Sequence, residues 1–131
     1  MLNLAHNKIT KIEGITHLEN LIYFNINNNL IEEFNPEEEL PKNLQIVRMF
    51  GNPVETSDPK YREKLVIALD DLCELDKIKV IQAERLWYKG LLPKHLKFSV
   101  EEKLNQFKKE RMQEEAREKM EWELYSEMMD E

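Results

Sequence analysis

A pattern of apolar residues and one asparagine recurs three times near the start of this chain, and it leaves few folds to choose from. Residues 21–40 read LIYFNINNNLIEEFNPEEEL, with the spacing L-x-x-F-x-I-x-x-N-x-I-x-x-F. A shift of 22 residues back carries Phe24, Ile26, Asn29, Ile31 and Phe34 onto Leu2, Leu4, Asn7, Ile9 and Ile12. A shift of 23 forward carries the first four onto Val47, Met49, Asn52 and Val54, with Leu44 where Leu21 stood. Self-similarity at such a period is the mark of stacked structural units, each leaning on its neighbours to bury an apolar face.

The spacing has a direct physical reading. Side chains alternate across a short strand, so Phe24 and Ile26 share the inward face while Tyr23, Asn25 and Asn27 point outward. The Asn that follows turns the chain, and its amide can satisfy backbone groups of adjacent turns that would otherwise be unpaired. Asn7, Asn29 and Asn52 are therefore expected to stack as a structural ladder. Ile12, Ile15, Leu18 and Leu21 complete the first repeat. In the second, Asn35 reads as a helix N-cap with Pro36 at the first helical position, and Glu37, Glu38 and Glu39 suit the helix dipole there. The first repeat lacks a counterpart of Leu21, so Leu2, Leu4 and Ile9 are expected to present an open strand edge and a raw apolar end. An upstream part of a longer protein, missing repeats or a partner is expected to cover that edge. With about two and a half repeats, the isolated chain is expected to be marginally stable and prone to self-association.

After Asn52-Pro53 the repeat stops. Asp58-Pro59 opens a helix in which Tyr61, Leu65, Ala68, Leu69 and Leu72 make one apolar stripe, ending at Leu75-Asp76. The lone Cys73 cannot form an internal disulfide, which suits a reducing compartment, and beside Leu72 and Leu75 it is expected to be a small buried thiol. A second short helix is expected over residues 77–89, with Ile78, Ile81, Leu86, Trp87 and Tyr88 as its bulk and Gly90 as its stop. Trp87 and Tyr88 serve either to pack on the preceding helix or to anchor a partner.

These features resemble the leucine-rich repeat proteins of the 22-residue class, which include a nuclear phosphatase regulator, a spliceosomal protein, dynein light chain 1 and many axonemal proteins. In their C-terminal cap a Tyr-Arg pair, a hydrophobic helix and a Leu-Asp ending follow the last Asn-Pro; Tyr61, Arg62, Leu72, Leu75 and Asp76 match here, while Asp70-Asp71 departs from the usual hydrophobic-Pro step. The resemblance implies an α/β fold: a short solenoid with a helical cap and a long extended C-terminal helix. The expected segments are repeats over 1–58, cap over 59–80, short helix and linker over 81–98, and a charged helix over 99–131. It also implies a binding scaffold with a concave partner surface.

Ser99 reads as the N-cap of the last helix, with Glu102 completing a capping box, and no Gly or Pro follows it. At 100° per residue, Val100, Leu104 and Phe107 fall in one sector of about 60°, and Trp122, Tyr125 and Met129 return to it about 22 Å further on. The first patch is expected to fold back on the cap. The second lies too far out for so small a core and is expected to bind a separate protein. Met112, Ala116, Met120, Leu124 and Met128 form another stripe that, spaced by four, drifts around the helix and suits a long coiled coil poorly.

The chain of 131 residues carries a net charge of −7, unevenly spread: residues 59–98 hold nine bases and six acids between two acidic segments. An acidic total argues against general nucleic-acid affinity, which needs phosphate neutralisation. Mean hydropathy is −0.65, and no apolar run approaches a membrane span. His6, His17 and His95 show no ligand spacing with Cys73, and neither a phosphate loop nor a nucleophile elbow is present. No enzyme, cofactor or metal is expected.

The reading is a non-catalytic scaffold or adaptor joining other proteins of a multi-subunit assembly, with the cytoplasm and ciliary axoneme as its setting; a regulatory subunit that docks on a phosphatase through the concave face is the alternative. Candidate contact residues are Tyr23, Asn25, Asn27, Arg48 and Phe50 on the concave face, with Trp122, Tyr125 and Met129 on the distal helix. Neither nucleic acid nor membrane is an expected partner.

Overall fold

A computed structural model describes residues 1–129; Asp130 and Glu131, with which the expected final helix ended, lie outside the described residues. The chain forms two compact units, Met1–Pro93 and Lys94–Glu131.

The first unit is built on a sheet of strand order β1-β2-β3-β4-β5. The strands are β1 (Leu2–Asn3), β2 (Tyr23–Asn25), β3 (Ile46–Arg48), β4 (Glu74–Leu75) and β5 (Ile78–Lys79). The first four pair in parallel, with Leu2 opposite Phe24, Phe24 opposite Val47 and Val47 opposite Leu75. The register thus follows the sequence repeat, and Leu75 supplies a fourth rung that the repeat count did not include. Stacking buries one continuous core: Phe24, Ile26, Ile31, Leu44, Val47 and Met49 are all buried, whereas Leu2, Leu4 and Ile9 in the terminal repeat are half-buried.

The ladder forms as expected. Asn29 donates its amide to the carbonyls of Leu4 and Ile26, each at 3.0 Å, and its oxygen accepts from Ile9 N–H at 3.0 Å. Asn52 repeats this on Ile26 and Met49, accepting from Ile31 N–H. Asn7 makes only the local half, to Leu4 and Ala5. The residue before each ladder asparagine is left-handed: His6, Asn28 and Gly51 have φ of 59°, 57° and 79°. At Gly51 a Cβ would come within 2.2 Å of Asn28 Oδ1, so glycine is required there by contact as well as by conformation.

On the convex side lie α1 (Pro36–Glu39), α2 (Pro53–Ser57) and α3 (Tyr61–Ala68). Asn35 caps α1 through Glu37 N–H at 3.1 Å. Helix α3 buries Tyr61 and Leu65, with Ala68 half-buried; it stops at Ala68, short of the expected stripe, because Leu69 is extended, and Leu69 and Leu72 are buried from the connection that follows. Asp76 ends the ladder: its Oδ1 accepts from Met49 N–H and its Oδ2 from the Tyr61 hydroxyl, both at 2.7 Å. Burial, and then the Asp76 charge, push the Tyr61 phenol well above its usual range.

Three expectations need correction. Residues 77–89 are not one helix: Asp76 and Lys77 are both left-handed, as a tight two-residue hairpin turn requires. They fold β5 antiparallel onto β4, and only α4 (Gln82–Tyr88) is helical. Cys73 is exposed, because it lies in the short connection between α3 and β4, where neither helix nor strand periodicity turns it to the core, and its Sγ meets the Asp71 carbonyl at 3.3 Å. Ser99 does not cap the last helix, since α5 (Lys97–Met129) begins before it, after a 3₁₀ turn at Lys94–Leu96; lysine and phenylalanine both permit helix, so the capping pattern was overrun.

Candidate partner-binding sites

The sheet's outward positions form two rows. Pairing places Tyr23, Ile46, Glu74 and Lys79 side by side, and Asn3, Asn25 and Arg48 in the next row. The Arg48 guanidinium lies over the Tyr23 ring, 5.3 Å from its centroid, and 3.9 Å from the Glu74 carboxylate. The cation is thus held between a π-face and a carboxylate on a rigid strand, which reduces the rotamer entropy lost on binding. Phe50 is exposed at the end of this strand.

The expected amides divide their duties. Asn25 is buried and its oxygen accepts from Asn27 N–H at 3.0 Å. The Asn27 oxygen accepts from Phe50 N–H at 2.7 Å. These oxygens shape the strand ends, so Tyr23, Arg48 and Phe50 offer the larger side chains for contact. Ile46, Glu74 and Lys79 also lie on this face and were not foreseen. Aligning Leu75 with Val47 would have found Glu74, whereas Lys79 joins the row only through the antiparallel hairpin at Asp76-Lys77.

Beside the sheet, the cap carries a buried ionic cluster. Glu84 is buried and takes both Arg62 Nε and Arg62 Nη2, the latter at 2.9 Å, while accepting from the Tyr88 hydroxyl at 2.9 Å. Burial and the Glu84 charge push the Tyr88 phenol above its usual range. Arg85, also buried, donates to the carbonyls of Val66, Leu69 and Leu72, at and just beyond the C-terminal end of α3, where helix carbonyls lose their intrahelical partners. The cluster is structural, since each polar group faces a partner inside the fold. Tyr88 packs on the core with Trp87 stacked upon it at 5.5 Å, so packing accounts for both aromatics.

Along α5, Val100 and Leu104 are buried and Phe107 is half-buried. By contrast Trp122, Tyr125 and Met129 are 66%, 55% and 68% exposed. Trp122 and Tyr125 stack with centroids 5.8 Å apart, a preformed aromatic pair of the kind that anchors interfaces.

Among the described residues no group of three or more His, Cys, Asp or Glu is placed to hold a metal ion. Among the described residues no helix is long and apolar enough to cross a membrane.

Residues 1–42 match the leucine-rich repeats family, in two copies. No curated protein matches the chain. Among solved structures it is similar to the crystal structure of the Drosophila melanogaster SNF/U2A' complex, at 25% identity over 76% of this chain and 72% of that one, with a TM-score of 0.45. The family match, the 22- and 23-residue strand register and the asparagine ladder together make the first unit a short leucine-rich-repeat solenoid with a helical cap.

Proposed function

We propose that this protein is a non-catalytic adaptor within a larger assembly, gripping one protein with the concave sheet and another with the distal end of α5. Leucine-rich repeats generally mediate protein–protein interaction through such extended concave surfaces. The observation that carries the reading is that each of the two units carries an exposed aromatic site of its own character. One is a sheet-mounted set of Tyr23, Arg48 and Phe50. The other is the stacked Trp122–Tyr125 pair with Met129 on a charged helix. The setting we favour is the cytoplasm and the ciliary axoneme, on the resemblance of short repeats, cap and long charged helix to axonemal leucine-rich proteins.

Two variants of a tagged protein test this. Arg48→Ala with Phe50→Ala should lose one class of partner, and a chain ending at Glu121 should lose a different one, both keeping the native melting transition of the first unit. Recovery of the same partner set by both variants would sink the two-site reading. A diffuse or nuclear signal in ciliated cells would sink the axonemal setting alone.

A further inference from the structure

The helix α5 has a second face, unrelated to Trp122, Tyr125 and Met129. By helical geometry Lys109, Met112, Ala116, Met120 and Glu123 fall in a sector of about 80°, on the opposite side of the helix from Val100 and Leu104. Met112 and Met120 are 64% and 58% exposed, and Lys109, Ala116 and Glu123 are exposed as well. The order of this set is palindromic in chemistry. Ala116 stands at the centre, a methionine lies four residues to each side, and seven residues out stand a base on one side and an acid on the other.

We propose that this face pairs with a second copy of the chain, the two α5 helices crossing antiparallel at Ala116. An antiparallel two-fold through Ala116 places Met112 against the partner's Met120 and Lys109 against the partner's Glu123, each contact occurring twice. The small alanine lets the backbones approach at the crossing, and the methionines fill the layers on either side. Parallel pairing would instead set Lys109 on Lys109 and Glu123 on Glu123, which like-charge repulsion disfavours. The wider charge agrees: residues 97–111 carry five bases and three acids, and residues 112–129 six acids and two bases. Among the described residues the ion pairs within the helix are Arg111–Glu115 and Arg117–Glu121, and neither uses Lys109 or Glu123. A stripe spaced by four drifts about 40° per step, so the contact is a crossing of roughly four turns and not a long coiled coil. An interface that small gives a weak, salt-sensitive dimer.

Sedimentation equilibrium of the full chain at low and high salt tests it. The native protein should dimerise reversibly and dissociate further as salt rises. Lys109→Glu should raise the dissociation constant about tenfold, since two symmetry-related pairs are lost. Lys109→Glu combined with Glu123→Lys should restore it, which only the antiparallel arrangement allows. Met112→Gln with Met120→Gln should leave a monomer of unchanged helix content by circular dichroism, whereas Trp122→Ala should leave the dimer intact. A native chain that stays monomeric at every concentration reached overturns the proposal. So does a dimer that Lys109→Glu leaves untouched, that the double exchange fails to restore, or that Trp122→Ala abolishes.

Discussion

The repeats and the cap meet the same demand, pairing backbone groups where the chain turns, with opposite chemistry. In the repeats a neutral amide does it: Asn29 and Asn52 each join two adjacent turns. In the cap charged groups do it: Asp76 receives Met49 N–H, and Arg85 gathers three carbonyls. An amide both donates and accepts, so one residue type serves every interior rung and can be repeated. At the end of the stack the donors and acceptors are no longer matched, and single-sense groups, a carboxylate and a guanidinium, take the unpaired remainder. Repetition needs neutral glue; termination tolerates charge only where each ion is fully engaged.

The sharpest break of that contrast is at Glu84. Glu84→Ala would leave the Arg62 guanidinium and the Tyr88 hydroxyl without their buried acceptor, and should cost about 3–5 kcal/mol in chemical unfolding. A cost under about 1 kcal/mol would mean that the cluster is solvated and the contrast false. Next come the rungs. Asn52→Ala and Asn29→Ala should each cost about 2–3 kcal/mol, from buried groups left unpaired. Asn7→Ala, with only local and exposed bonds, should cost about 0.5 kcal/mol. Equal losses at all three would show that bonding between repeats contributes nothing.

Gly51→Ala should destabilise by about 1–3 kcal/mol, because the left-handed backbone is strained for alanine and its Cβ collides with Asn28. Restoring stability by Asn28→Gly in the same chain would assign the loss to that collision. The charged end also predicts a pH response. Tyr61 and Tyr88 have raised folded pKa values, so the folded state keeps protons that the unfolded chain releases. Their stabilisation is complete below the ordinary tyrosine pKa of about 10 and falls as pH rises above it. Denaturant melts from pH 8 to 11 should show that fall, and Tyr88→Phe should shallow it; an unchanged slope would remove Tyr88 from the account. The smallest effect is expected at Lys77, left-handed at φ 66°. Lys77→Gly suits this two-residue turn better and should stabilise by about 0.5–1 kcal/mol, readable as a small rise in the melting midpoint.

Much of the first unit was legible because its physics is periodic. The spacing from Leu2 through Phe24 to Val47 is the strand register itself, and the alternation about Phe24 and Ile26 separates core from face. The cap was legible only in part. Tyr61, Leu65, Leu69 and Leu72 announced their burial, but nothing within QAERLWY singles out Glu84 and Arg85. Nothing local marks a carboxylate as buried when its partner, Arg62, lies 22 residues away. Residues 77–89 misled for a related reason: their apolar residues fit a helix, while a hairpin at Asp76-Lys77 takes the first of them into the sheet.

The same division runs through the candidate sites. The sequence by itself determined that Tyr23, Arg48 and Phe50 share the outward face, because strand alternation is a local rule. It also determined that Trp122, Tyr125 and Met129 share a helix sector, because 100° per residue is one too. Only the tertiary structure decided that Arg48 sits between Tyr23 and Glu74, that the Asn25 and Asn27 oxygens hold the strand ends, and that Glu84 is buried beneath Arg62. Those are choices of partner across distant segments, and a side chain's partner depends on what packing brings to it. Periodicity is written in one segment at a time; desolvation and pairing belong to the assembled whole.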